Sequence, residues 1–424
     1  MNGPIRSYYA ATCNDQTRYP ELAGEVTADV CVIGAGFSGL STAIFLAERG
    51  AKVVVLEEHQ VGWGASGRNG GQVIGGLQGE ARFERQLGTA GRELMTALHY
   101  RGHDIIEERI ARYNIQCDWK RGFIEVAAKP SHMAGLEQHV EVQRKAGLGG
   151  QLRLLNTAET AKAVGSELYH GAYVDERSAH CHPLNLCVGE ARAAASLGVT
   201  IHEETRVLGI DHGARPVVRA ANGRVVAKQV VLAGNAYHQL EAKKLGGLLF
   251  PAGTYVIATE PLSAEVAARI NPNNWSVCDS NIALDYFRLS ADRRLLFGGL
   301  CHYANRDPAS IAGALQPRLA RVYPELAGTK IQFEWGGVIG IVVTRIPLIG
   351  RVAPNVFYLQ GYSGHGVNVT HLASEIVADA IDGRDERLRM FEHVRQVRVP
   401  GGQWAGNQLL ALGMAYYKFK DQFF

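Results

Sequence analysis

Several things are scarce in this 424-residue chain, and each shortage closes a line of interpretation. No uncharged apolar run reaches the roughly 18 residues that would suggest a membrane-spanning helix. The opening segment, MNGPIRSYYAATCNDQTRYP, holds no apolar stretch of the kind a secretory signal needs. Cysteines number seven, at 13, 31, 117, 181, 187, 278 and 301, with no Cys-x-x-Cys among them. That scatter argues against a disulfide framework and a zinc ribbon, and it leads us to expect a reduced, cytoplasmic protein. Forty-four basic against 41 acidic side chains leave a formal charge of only +3, too little to suggest a nucleic-acid or anionic-membrane surface. Prolines are 14, and no Pro-rich linker, internal repeat or low-complexity stretch is found. With 46% apolar and 20% charged residues the chain is ordinary globular material.

Glycine is the exception, at 49 of 424 residues against a usual ~7%. Twelve of them fall between Gly34 and Gly79. Residues 29–34 read as a strand buried on both faces, followed by Gly34-Ala35-Gly36-Phe37-Ser38-Gly39 and a helix of small apolar residues ending at Gly50. A second buried-type strand, 52–57, ends in Glu57 and Glu58. A Gly-x-Gly-x-x-Gly inside a complete βαβ unit predicts a dinucleotide site. The first glycine allows the turn, the second admits the pyrophosphate, and the third lets helix and strand close up. The helix N-terminus favours phosphate, and Glu57, 23 residues after Gly34, suits ribose hydroxyls.

Two further segments favour FAD over NAD. Val61–Gln72 is a glycine loop carrying Trp63, Ser66, Arg68, Asn69 and Gln72, suited to lining a long ligand. Residues 355–360 read as a strand that runs into Gly361-Tyr362-Ser363-Gly364-His365-Gly366 and another helix. A second helix N-terminus suits a flavin ring that becomes anionic on reduction.

These segments together resemble the FAD-dependent amine and amino-acid oxidases related to D-amino-acid oxidase, glycine oxidase and sarcosine oxidase. The likeness runs through SYYAA (7–11), ADVCVIGAGFSGLS (28–41), VGWGASGRNGGQ (61–72), HPLNL (182–186), VLAGNAY (231–237), LDYFRLSADRRLLFGG (284–299), QGYSGHGVNVTHLA (360–373) and ALGMAYY (411–417). Within the family it is nearest to the branch that oxidises gamma-glutamylated diamines in bacterial polyamine catabolism. The resemblance implies an α/β fold (α+β overall), a Rossmann-like FAD-binding domain interleaved with an antiparallel-sheet substrate domain. We expect the first over 25–80, 182–248 and 335–383, the second with covering helices over 81–181 and 249–334, and a C-terminal tail over 384–424. It implies FAD contacts at Gly34, Gly36, Phe37, Ser38, Gly39, Glu57, Glu58, Gly64, Ala65, Ser66, Arg68, Asn69, Gly70, Gly71, Gln72, Val207, Ala233, Gly234, Asn235, Gly337, Gly361, Gly364, His365, Gly366 and Val367. Related chains often carry Thr-Pro-Asp before the last flavin strand, where this one reads Thr344-Arg345-Ile346-Pro347, so no flavin contact is carried over to Arg345. Sarcosine oxidases hold flavin through a cysteine just upstream; residues 335–350 contain none here, so non-covalent FAD is expected.

The implied reaction moves a hydride from the carbon bearing a primary amine to flavin N5, and oxygen then gives hydrogen peroxide. His365 is expected to raise oxygen reactivity as a positive charge, to polarise a flavin carbonyl, or to orient backbone. Tyr286 and Arg288 share a strand face, so Tyr286 is expected to pack on an alkylamine and Arg288 to bind a carboxylate. Trp335 and Trp63 are expected to wall the amine channel. No acid is singled out for the ammonium, with Glu260 and Asp285 as candidates. His180-Cys181-His182 reads as a turn rather than a metal site. The partners implied are a small-molecule amine and molecular oxygen, with no nucleic acid and no stable membrane insertion. D-amino acids or small secondary amines as substrates, a carrier in place of oxygen, and a non-catalytic flavin sensor remain open.

Overall fold

The computed structural model describes residues 7–302, 308–401, 406–408 and 411, the side chain of residue 302 excepted. The last part of the expected C-terminal tail, from 409 onward, lies almost wholly outside them.

Two sheets organise the described chain. The first is eight-stranded and centred on Gly24–Ile33, flanked by Val53–Leu56 and Gly223–Leu232. Thr200–His202 and Val356–Gln360 extend it outward, all parallel, and Leu348–Ala353 closes one edge antiparallel. The central strand is buried from Val30 to Ile33, which is why it reads as a continuous apolar run rather than an alternation. Helices Phe37–Glu48, Pro183–Ser196 and Gly366–Ile381 pack around this sheet through small residues. Where they meet, Glu190 is fully buried and accepts from Arg109 at 2.7 Å, with His371 Nε2 at 3.1 Å. Burial alone would raise the Glu190 pKa, but His371 and Arg109 hold it below the usual carboxylate range. The pair fixes three helices behind the nucleotide loop.

The second sheet is nine-stranded. Its order runs Ile331–Val342, Leu249–Thr259, Leu295–His302, Tyr286–Leu289, Ser276–Asp279, Lys120–Val126, Ala172–His180 and Gln72–Val73. Its pairings are antiparallel except that of Ser276–Asp279 with Lys120–Val126.

Two expected boundaries shift. Helices Glu80–Leu98 and Arg101–Tyr113 bury Phe83, Leu98 and Ile106 in the same core as the nucleotide helices, so they belong with the first sheet rather than covering the second. Gln72–Val73 and Trp335–Val342 belong to the second sheet, because they pair with Ala179–His180 and Leu249–Val256 respectively. The sequence hides the second case, since Gly336-Gly337 interrupts any alternation there.

Candidate active site

A cavity of about 840 Å³ is lined by residues of both sheets, from Glu57 at one end to Tyr286 and Glu125 at the other. Its nucleotide end is made mostly of backbone. Gly34 turns at φ +109°, and a side chain on it would press on the Ala233 carbonyl at 3.0 Å. Gly36 caps helix Phe37–Glu48 with no side-chain hydrogen bond, and that first turn holds no acid. Apart from that of Phe37, the first N–H groups of the helix are therefore available to an anion. Gly39 lies behind the lining; a Cβ there would sit 1.8 Å from the Gly34 oxygen, so its task is helix–turn packing. Phe37 N donates to Ser66 Oγ at 2.9 Å, tying the two glycine loops together.

Glu57 accepts from Ala35 N and His59 N at 2.8 and 3.0 Å. Burial still pushes its pKa up to about 7, with those N–H groups offsetting part of the effect. Hydroxyl donors from a ribose would complete the site, and this set of free helix N–H groups, close glycines and a buried acid fits FAD. Glu58, Val207, Ala233, Gly234 and Asn235 extend the lining, as do Gly64, Ala65, Ser66, Asn69, Gly70 and Gln72 further along.

At the second glycine loop, helix Gly366–Ile381 also begins without a side-chain cap or an acid in its first turn. Gly364, His365, Gly366 and Val367 line the cavity beside it. His365 Nε2 lies 3.0 and 3.1 Å from the carbonyl oxygens of Ile74 and Gly75, so that nitrogen carries the proton and donates. Desolvation lowers the ring's pKa, leaving it neutral, and the expected positive charge at this position is withdrawn. The side chain ties two loops together.

The substrate end is a single row across the second sheet. Tyr173, Glu125, Cys278, Tyr286 and Gly298 are successive register partners on five strands, which puts them on one face. The four side chains of that row all line the cavity. Gly298 makes room for Tyr286: a Cβ there would lie 2.1 Å from its Cζ, and one on Gly70 2.5 Å from its Cε2. The tyrosine ring is thus held between two glycines.

Some expected contacts lie behind this lining. Arg288 shares the face of Tyr286, but its guanidinium is buried and donates to the carbonyls of Gly70, Leu289 and Cys181 and to Tyr9 Oη, at 2.7 to 3.2 Å. The short helix Tyr8–Ala11 and the 181–182 segment cover it, so it does not reach a substrate carboxylate. Trp335 is also buried, donating Nε1 to Arg68 O at 3.0 Å with its ring 5.2 Å from Tyr9, and it walls no channel. Trp63 does line the cavity. Arg68 stacks over Trp63 at 4.5 Å and donates to Trp63 O and Gly336 O, so it braces the loop from behind. Gly337 and Gly71 leave space for Arg68 and Arg288, and Gly361 N donates to Asn235 Oδ1; none of these three glycines faces the cavity. His180 and His182 hold Asn274 O and the start of helix Pro183–Ser196.

Glu260 is exposed and Asp285 is bound to Arg318 at 2.8 Å, so neither is the acid of the site. Besides Glu57, Glu58 and Glu80, whose Oε1 accepts from Leu77 N at 2.8 Å, the lining holds three acids on strands of the second sheet, Glu125, Asp175 and Asp279, and none of these three is singled out by the sequence. Arg345, held at φ +66°, is the one Lys or Arg among the described lining residues. These three acids sit on strands whose cross-strand register no local pattern reveals, and Arg345 in the turn between Ile331–Val342 and Leu348–Ala353.

A family model described as FAD dependent oxidoreductase matches residues 29–380. The chain is 41% identical over 424 residues to gamma-glutamylputrescine oxidoreductase of Escherichia coli, covering 100% of this chain and 99% of the other. It is 40% identical over 426 residues to a probable oxidoreductase of Haemophilus influenzae, covering 99% and 98%. Among solved structures, glycine oxidase from Geobacillus kaustophilus superposes with a TM-score of 0.71 at 22% identity, covering 88% of this chain and 100% of that one. The last comparison carries the fold alone.

Proposed function

The chain belongs to the FAD dependent oxidoreductase family, and on that premise we propose that it oxidises the primary amine of gamma-glutamylputrescine or a related gamma-glutamyl polyamine. The observation that carries the reading is 41% identity, end to end, to an enzyme named for that amine. The overall reaction is amine plus oxygen plus water giving aldehyde, ammonia and hydrogen peroxide. FAD, when bound, would supply the electron acceptor for the hydride of the carbon that bears the amine. The protein's part is to hold and orient. Tyr286, fixed between Gly70 and Gly298, offers an aromatic face to the alkyl chain. The N-terminus of helix Gly366–Ile381 would favour negative charge on a flavin held at this end of the cavity. Arg345 is the cation offered to the glutamyl carboxylate in place of Arg288. No described helix is long and apolar enough to cross a membrane, and we place the enzyme in the cytoplasm with non-covalent FAD.

The test is anaerobic mixing of the yellow protein with gamma-glutamylputrescine, putrescine, sarcosine, glycine and D-alanine. Gamma-glutamylputrescine should bleach the flavin fastest and, under air, yield one peroxide per amine consumed. Faster bleaching by sarcosine or a D-amino acid would replace the substrate reading. Bleaching without peroxide would replace oxygen by another acceptor. Acid precipitation should leave the colour in solution.

A further inference from the structure

Three carboxyl groups on strands of the second sheet line the cavity, and their hydrogen bonds separate them. Asp175 accepts from Tyr100 Oη, from the backbone N–H groups of Arg177 and Ser178, and from Ser178 Oγ. Asp279 has both oxygens occupied by Asn281, one by its backbone N–H at 3.0 Å and one by its side-chain amide at 2.9 Å. These two acids hold turns of their own strands. Glu125 differs: Oε2 accepts from Tyr173 Oη at 3.2 Å, and Oε1 has no partner among the described residues. No Lys or Arg pairs with it among those residues.

Glu125 also lines the cavity itself. Its register partners on either side, Tyr173 and Cys278, line the cavity with it, and Tyr286 is the next residue along the same row. A carboxyl in such a place is costly to bury without a cation. We infer that Glu125 receives the ammonium group of the substrate and takes one of its protons, an inference that rests on the amine-oxidising reading above. The transfer is a plain acid–base step: the ammonium loses a proton to Oε1, leaving a neutral amine with its lone pair and a neutral carboxylic acid. No electrons move.

The surroundings favour that exchange. Burial pushes the Glu125 pKa up to about 7; Tyr173 lowers it and Asp279 raises it. Beside it stand the Tyr173 hydroxyl and the Cys278 thiol, and the same cavity is lined by Asp175 and by His139, whose ring lies 4.9 Å from that of Tyr173. Burial lowers the His139 pKa and raises that of Cys278, so both are neutral near pH 7. Poor solvation penalises the ammonium and the carboxylate alike, which brings the neutral pair within reach.

Glu125→Gln and Glu125→Asp, both purified with FAD, test the assignment. Wild-type kcat/KM should rise with pH through about 7 as Glu125 ionises. Glu125→Gln should lose about 100-fold or more in kcat/KM and lose that limb, whereas Glu125→Asp should keep it. As a readout apart from turnover, tert-butylammonium, which has no hydrogen on its amine-bearing carbon, should perturb the wild-type flavin spectrum more tightly above the limb than below it. Its affinity for Glu125→Gln should be weak and flat with pH. An unchanged limb or unchanged ammonium binding in Glu125→Gln overturns the inference while leaving the amine oxidase intact. A wild-type flavin that no amine reduces overturns both.

Discussion

The two ends of the cavity are built on opposite plans. At the nucleotide end, contacts come from backbone at the C-terminal edge of parallel strands, with the residues concerned packed into short sequence intervals such as 34–39 and 64–72. At the substrate end they come from side chains at 125, 173, 278 and 286, far apart in sequence and brought together only by strand register. A backbone site admits almost no variation where it is tight and ignores side chains elsewhere. A side-chain row can be rewritten one residue at a time on a fixed sheet. The contrast lets one family keep its cofactor while changing its substrate.

Gly36→Val should break the first plan outright. A Cβ at Gly36 already meets Ser66 Oγ at 2.7 Å, and the longer side chain would fill the approach to the free helix N–H groups. We expect protein with native far-ultraviolet circular dichroism and no bound flavin. A full complement of FAD in this variant would mean that phosphate lies elsewhere.

Next in size is Arg288→Met, which asks whether an arginine on the substrate strand belongs to substrate or to scaffold. Removing it strips charged donors from three buried carbonyls, a loss of roughly 3 kcal/mol in unfolding free energy. Turnover of gamma-glutamylputrescine and of putrescine should fall by the same factor. A loss confined to the gamma-glutamyl amine would return Arg288 to the pocket. Denaturant unfolding and parallel kinetics on the two amines decide it.

Arg345→Met supplies the counterpart. An Arg–carboxylate contact is worth roughly 1.5–3 kcal/mol, so kcat/KM for gamma-glutamylputrescine should drop about 10- to 150-fold while putrescine is little affected. Equal losses on both amines would place Arg345 against the flavin instead.

This contrast also explains what could be read in advance. The Gly34–Gly39 turn, the acid at 57 and the Gly364–Val367 helix start are local signals, each with a physical reason inside a few residues, and all of these except Ala35 and Gly39 line the cavity. Tyr286 was legible from its strand, but Arg288, two residues on, was not: alternation gives the face and says nothing of what covers it. Tyr9, which accepts from Arg288, lies 279 positions away. Glu125 carries no local signal of its own, and its neighbours Tyr173 and Cys278 are set by register, which no single strand encodes.

The smallest effect belongs to His365, which lies where the two plans meet. It is a side chain, but it acts on backbone, donating Nε2–H to Ile74 and Gly75 and so bracing the loop that follows the glycine-rich segment. Were it the positive charge that speeds reaction with oxygen, removing it would cost most at low pH, where it is protonated, and nothing at high pH. Desolvation instead lowers its pKa below the usual 6.5, so between about pH 7 and 9 the ring is already neutral and has no charge to lose. His365→Gln, which keeps a side-chain N–H donor, should therefore slow reoxidation of reduced enzyme by less than about 3-fold, and by the same factor across that range. Stopped-flow reoxidation at several pH values measures it. A deficit that grows steadily as pH falls from 9 to 7 would restore a cationic His365, and would show that a side chain, not backbone, governs this end of the site as well.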